Sequence, residues 1–330
     1  DVFGATTTRA VQDGDEWVID GTKVFITNAG TPLTSIVTVT AFTDDREMTS
    51  IIVPTDTPGL TIAPPYRKVG WHASDTRELA FDGVRVPQAN TLGERGAGFR
   101  QFLKTLDDGR IAISALAVGM IQGCVDECVR YATEREAFGA PIGKQQAVAF
   151  KIADLEVAAQ TARQMYYYAA WRKLEGLGYK REASIAKLYS SEQAVTAARE
   201  ASQVFGGMGF TTETRVGRFY QDAKILEIGE GTSEIQRLLI ARDLGLIDSR
   251  LGLVVFYVAG QLAFLTFLLR GFFESIPREL EEAMEMDGAS PLRVYWHLML
   301  PLSRPALATA GIFAFLGAWD EFVWALTIIN

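Results

Sequence analysis

The chain has 330 residues, 48% of them hydrophobic and 22% charged, with a formal net charge of −8 and a mean hydropathy of +0.10. That is long enough for two domains with substantial cores, and the acidic balance argues against nucleic acid as a partner, since phosphate binding needs a basic surface. Two cysteines, Cys124 and Cys128, and two histidines far from them leave no spacing that reads as a metal site.

Residues 1–92 read as β. Runs such as Ser35–Phe42 and Ser50–Pro54 are rich in β-branched residues, and Asp-Gly pairs at 13–14, 20–21 and 82–83 favour tight turns between strands. No helical period intervenes, so a compact antiparallel β-barrel is expected. The period changes near Gly98. Segments 98–132, 144–176, 181–206 and 215–243 carry apolar residues at three- and four-residue spacing, which predicts a four-helix bundle over residues 93–246.

The third section, 247–330, differs. Leu251–Leu269 holds nineteen uncharged residues, a polar helix-prone segment follows at 274–297, and a second apolar run extends from Ala306 to Ile329, interrupted by Asp320-Glu321. A buried core helix could imitate one such run; two flanking a polar loop predict an all-α membrane fragment. The N-terminus shows no basic and apolar signal peptide and no starting Met, so the chain is expected to begin inside a longer gene product.

Nucleotide loops of the usual kinds are missing. GAPIGKQ at 139–145 is one residue short of a P-loop, and neither GERGAGF at 93–99 nor GGMGF at 206–210 has the dinucleotide-binding spacing. The most suggestive stretch is EIGEGTSEIQR, 227–237. Glu230 sits between two glycines, where the backbone turns sharply and approaches a ligand closely. A carboxylate in such a turn, facing an apolar pocket, would have a raised pKa and serve as a base; a solvated loop carboxylate before a helix cap is the alternative.

EGTSEIQRLLIAR at 230–242 resembles the C-terminal segment of acyl-CoA dehydrogenases. FITNAG at 25–30, LDDGRI at 106–111, EREAFGAPIGKQQA at 134–147 and QVFGGMGFTTE at 203–213 match in family order, with the short-chain, butyryl-like branch most similar. The resemblance implies an FAD-dependent oxidoreductase that converts an acyl-CoA to the trans-2-enoyl-CoA. Glu230 would remove the α-proton while a hydride passes to flavin N5. In some branches the base comes from the position of Gly109, which is excluded here. It further implies that Phe25, Ile26 and Thr27 lie beside the isoalloxazine, with Phe25 standing where this branch commonly has Trp. Arg135, Phe138 and Gln146 would reach the FAD of a neighbouring subunit in a homo-oligomer. Gln203, Gly206 and Gly207 would form the cofactor loop, with Thr232 and Glu234 also cofactor-binding. Asp107, Arg110 and Gly231 would lie on the substrate side, and the electron acceptor would be an electron-transfer flavoprotein. The family's N-terminal helical domain, one wall of its acyl pocket, is absent from this sequence.

Residues 270–307 resemble the EAA loop of binding-protein-dependent ABC permeases of the sugar-transporter branch. Glu281, Glu282, Ala283, Asp287 and Gly288 carry the match, together with Leu300-Pro301 and the flanking FFESIP and FAFLGAWDEFVWAL, where Asp320-Glu321 replaces the usual Asn-Asp. This resemblance implies docking on an ABC ATPase subunit from an inner membrane. Arg270, Arg278, Arg293 and Arg304 would keep the loop cytoplasmic, so a span at 251–269 would leave residues 1–246 on the opposite side from their substrates. The expected arrangement is therefore a cytoplasmic enzyme fragment and a membrane permease fragment meeting at a seam near Leu246.

Overall fold

The computed structural model describes residues 7–246 and 250–319. It divides into two compact units, residues 1–239 and 240–330.

The first unit begins with a six-stranded sheet: β1 (Arg9–Asp13), β2 (Glu16–Thr27), β3 (Ile36–Asp44), β4 (Glu47–Pro54), β5 (Leu60–Ile62) and β6 (Thr76–Pro87). The spatial order is β4-β3-β1-β2-β6-β5. The expected compact antiparallel barrel is corrected in two respects. Among the described residues no ladder joins the end strands β4 and β5, and β1 meets β3 in parallel at Arg9 and Phe42. Alternation supplies one packed face: Val37, Val39 and Ala41 of β3 join Trp17, Ile19, Leu79, Phe81, Val84 and Val86 in the core. The Asp-Gly expectation holds at one of three places. Asp13-Gly14 turns the β1–β2 hairpin, whereas the other two pairs lie inside β2 and β6. There the register slips between Ile19 and Gly21, and the Gly83 N–H donates to Asp20 at 2.7 Å. Asp-Gly accommodates a bulge as readily as a turn, because both need left-handed backbone.

Five helices follow: α1 (Gly98–Glu134), α2 (Gln146–Leu174), α3 (Lys180–Phe205), α4 (Arg215–Ile228) and α5 (Ser233–Asp243). The expected fourth helix is two, broken by residues 229–232, and that break carries Glu230. Buried alanines dominate the helical core (Ala117, Ala158, Ala159, Ala162, Ala194, Ala197, Ala198, Ala201), so α1, α2 and α3 approach closely. Cys124 and Cys128 pack there as buried thiols; burial pushes Cys128 up to about 12.

Sheet and helices are fastened at two points. A Cβ on Gly98 would come within 2.8 Å of the Ser50 and Thr49 backbone, so the start of α1 is pressed on β4. On the other side, the Trp71 N–H donates to Asp222 of α4, and a Cβ on Gly70 would meet the Gln221 carbonyl at 2.2 Å.

The second unit holds α6 (Arg250–Glu274), α7 (Arg278–Met286), α8 (Pro291–Val294), a π-helical stretch (Tyr295–Met299), α9 (Leu300–Leu302) and α10 (Arg304–Trp319). Pro291 opens α8, where its missing N–H costs nothing. α7 ends on Gly288 at φ +83, with the Ala289 N–H donating back to Met284. That left-handed residue closes the helix as glycine does. α6 and α10 meet through an edge-to-face Phe264–Phe313 pair at 5.6 Å. Among the described residues, the helix long and apolar enough to cross a membrane is α1, a partly buried helix of the first unit. The run Pro291–Leu302 passes together with Arg304–Gly317, the two bent by 69°. Of the two expected spans, 251–269 falls in α6, where side chains 251–256, 259, 260 and 263 lie outside the described residues. The second is described only to Trp319, so Asp320-Glu321 and the remainder to Ile329 fall outside, as do residues 247–249, which follow the expected seam near Leu246.

Candidate active site

Glu230 occupies left-handed backbone at φ +57, followed by Gly231 at φ +92. For a glutamate this is an unusual conformation that the surroundings must hold. The Gln236 side-chain amide supplies part of the restraint, donating to the Glu230 carbonyl at 3.2 Å and the Gly231 carbonyl at 3.0 Å. A Cβ on Gly231 would lie 2.9 Å from that same amide.

The turn aims the carboxylate across to α1. A Cβ on Gly109 would stand 2.2 Å from Glu230 Oε2, so Gly109 is the floor on which the carboxylate rests. Next to it in sequence, Arg110 and Asp107 form a buried ion pair at 2.5 Å. Among the described residues the Arg110 Nε has no hydrogen-bond partner. Burial raises the Glu230 carboxyl above the ordinary glutamate range, with Arg110 and Lys187 acting in the opposite sense. A carboxylate shifted in this direction is better matched to proton abstraction near neutral pH than a solvated one.

One residue of this constellation escaped the sequence. Lys187 of α3 is fully buried, and its Nζ donates to the Glu227 carbonyl at 3.0 Å. The available signal was its placement: with Ala183, Ala186, Ser190 and Ala194 it shares the buried face of α3. A lysine on a buried small-residue face needs a reason to be there.

The other candidate positions gather in separate places. Ile26 and Thr27 line a groove of about 460 Å³ with Lys23, Asn28, Val39 and Phe102. Its rim is tied down by Asp75, which accepts from the Gly30 N–H at 3.0 Å and pairs with Arg77 at 2.8 Å; these donors hold the Asp75 carboxyl below its usual range. Phe25 stands at φ +57, 71% exposed, its ring stacked on Tyr66 at 5.2 Å. Arg135, Gly206 and Gly207 share a second groove of about 580 Å³ with Tyr131 and Met208. Gly206 has φ +58, and a Cβ on Gly207 would meet nothing within 4 Å, so the backbone is open to a ligand. Gln203 lines a third hollow, beside Arg199 and Tyr220. Gln146 opens α2, and Phe138 is 96% exposed at φ +58; neither lines these grooves. Thr232 accepts from the Ile235 N–H at 3.4 Å, and Glu234 is held below the carboxylate range by its own backbone N–H and by Thr232. In the second unit, Glu281 lines a hollow with Arg270, Arg278 and Met299, while Glu282, Ala283, Asp287 and Gly288 are exposed.

Comparison with known proteins follows this division. Residues 1–84 match the family model described as acyl-CoA dehydrogenase, middle domain, and residues 96–245 that of its C-terminal domain. Residues 236–330 match the binding-protein-dependent transport system inner membrane component. The chain is 51% identical over 244 residues to the probable acyl-CoA dehydrogenase YngJ of Bacillus subtilis, covering 73% of this chain and 64% of the relative. It is 44% identical over 242 residues to the mitochondrial short-chain specific acyl-CoA dehydrogenase of Rattus norvegicus, covering 72% and 58%. The solved butyryl-CoA dehydrogenase of Megasphaera elsdenii superposes with a TM-score of 0.70 at 39% identity, covering 72% of this chain and 63% of the other. The chain therefore spans about three fifths of the length of these relatives. These two matched domains, with the half-buried Glu230 set over Gly109 in the second of them, place residues 1–245 in the acyl-CoA dehydrogenase family.

Proposed function

We propose that residues 1–246 carry the chemistry of a short-chain acyl-CoA dehydrogenase, the α,β-oxidation of an acyl-CoA thioester, with Glu230 as the base. The observation that supports this most directly is the Glu230 carboxylate resting on Gly109 with its pKa raised by burial. Glu230 takes the proton from the acyl α-carbon, and its backbone N–H would donate to the thioester oxygen as enolate character develops. FAD, when held by this chain, would supply the acceptor for the hydride that leaves the β-carbon.

The residues present suit that cofactor. The groove over Ile26 and Thr27 combines apolar walls with the polar rim a flat heteroaromatic ring needs. The Arg135–Gly206–Gly207 groove offers a guanidinium and open backbone, a fit for pyrophosphate. Arg135, Phe138 and Gln146 are read as serving the FAD of a second copy, with Gln203, Thr232 and Glu234 completing the cofactor contacts. Asp107, Arg110 and Gly231 face substrate, and an electron-transfer flavoprotein is the acceptor. Purified chain should be yellow and should reduce a dye with butyryl-CoA. Glu230→Gln should lower that rate by about 100- to 10,000-fold with flavin retained. A colourless protein, or a Glu230→Gln variant at full rate, defeats the assignment.

For residues 247–330 we infer a permease fragment whose loop docks an ABC ATPase subunit through Glu281, Glu282, Ala283, Asp287 and Gly288. The match of residues 236–330 and the glycine closing α7 support it. The assigned division is 1–92, 93–246 and 247–330, cytoplasmic up to 246 and in the inner membrane beyond, two fragments joined rather than one bifunctional machine.

A further inference from the structure

Burying an ammonium is costly unless it is paired, and replacing it with an apolar side chain of similar volume commonly costs a fold nothing. Lys187 is nonetheless the largest fully buried side chain in the described structure. Small residues surround it on its own helix face, so packing alone would be served by methionine. The ammonium instead donates to the carbonyl of Glu227, in the last turn of α4, where carbonyls have lost their helical partners. Three residues later the chain enters left-handed backbone at Glu230. From the far side, Gln236 grips the same turn through its 230 and 231 carbonyls. Glu230 is thus suspended between a lysine that fixes the way in and a glutamine that fixes the way out.

We infer that Lys187 is a positioning residue for the Glu230 turn: its buried ammonium, anchored on the Glu227 carbonyl, keeps the carboxylate over Gly109. The charged groups bearing on it are Glu227, Glu230 and Glu192, which favour the ammonium, and Arg110, which opposes it. Burial outweighs them and brings Lys187 down to about 8, so the ammonium prevails at neutral pH and is shed above it. The role in catalysis rests on Glu230 being the base; the role in the turn does not.

Amide hydrogen exchange by mass spectrometry on the full chain tests this, with Lys187→Met and Lys187→Arg beside the wild type. Peptides covering 227–232 should exchange at least about tenfold faster in Lys187→Met. They should stay near wild type in Lys187→Arg, and peptides from α1 and the sheet should be unchanged. Unchanged exchange at 227–232 overturns the inference, as does uniform acceleration everywhere, which marks a packing role. Dye reduction separates the two readings. If Glu230→Gln keeps full rate while Lys187→Met loosens 227–232, the base assignment is lost and the anchor stands. If Glu230→Gln is inactive while Lys187→Met shows wild-type exchange, rate and pH profile, the anchor is lost and the base stands. Both holding, Lys187→Met loses at least about tenfold in kcat with KM little changed, and its acidic limb moves to higher pH.

Discussion

The two units differ in how their helices dispose of apolar side chains. In the first, the alanine face of α1, α2 and α3 and the inward side of the sheet are closed from water. In the second, Leu262, Phe267, Ile312, Phe315 and Trp319 lie on the outside of α6 and α10, Phe267 at 79% and Trp319 at 75% exposed. Composition marks the second region by the nineteen uncharged residues of Leu251–Leu269. The structure adds whether apolar side chains find each other. A unit with closed cores can hold buried polar groups such as Lys187 and Arg110 beside the half-buried Glu230; helices that leave large apolar side chains along their outside call for another medium or partner.

The contrast would be broken most plainly by solubility. The full chain should need detergent to remain dispersed, whereas a chain ending at Leu246 should stay monodisperse without it; equal behaviour in detergent-free size exclusion removes the membrane reading of 247–330. A second, smaller effect concerns the site in the first unit. Gly109→Ala places a methyl within 2.2 Å of the Glu230 carboxylate and must displace it. Misplacing a catalytic group by about 1 Å costs roughly 100-fold, so dye reduction should fall by that order while flavin content holds. An unaffected rate would mean the carboxylate does not work from this position.

The smallest effect is in stability. Because burial raises the Glu230 carboxyl, the folded chain holds that proton more tightly than the unfolded chain does. Below the unfolded value of about 4.3 the two states bind it equally, and stability falls as pH rises from there through the raised folded value. Glu230→Gln lacks this loss. Its melting temperature should match wild type near pH 4 and exceed it at pH 7. A difference independent of pH would assign it to something other than this ionisation.

Much of the first unit was legible because its information is local. β-branched runs marked β3 and β4, and three- and four-residue spacing marked α1, α2 and α3 within a few residues of their ends. The Gly-Glu-Gly turn stood out because few residue patterns need such backbone. Errors arose where one pattern serves two geometries: Asp20-Gly21 and Asp82-Gly83 satisfy a bulge as well as a turn. The unbroken helix expected at 215–243 failed for a related reason, since apolar spacing continues in phase across a turn as short as 229–232.

By itself the sequence determined the order of β and helical regions, the change of character after Leu246, and Glu230 as the group to question, all properties of neighbouring residues. Tertiary structure alone decided that Gly109 lies beneath that carboxylate, that Arg135 shares a groove with Gly206 and Gly207, and that Lys187 reaches the end of α4. Those pairings join residues forty to more than a hundred positions apart. No periodicity encodes them; they exist only once helices have packed and their ends have met.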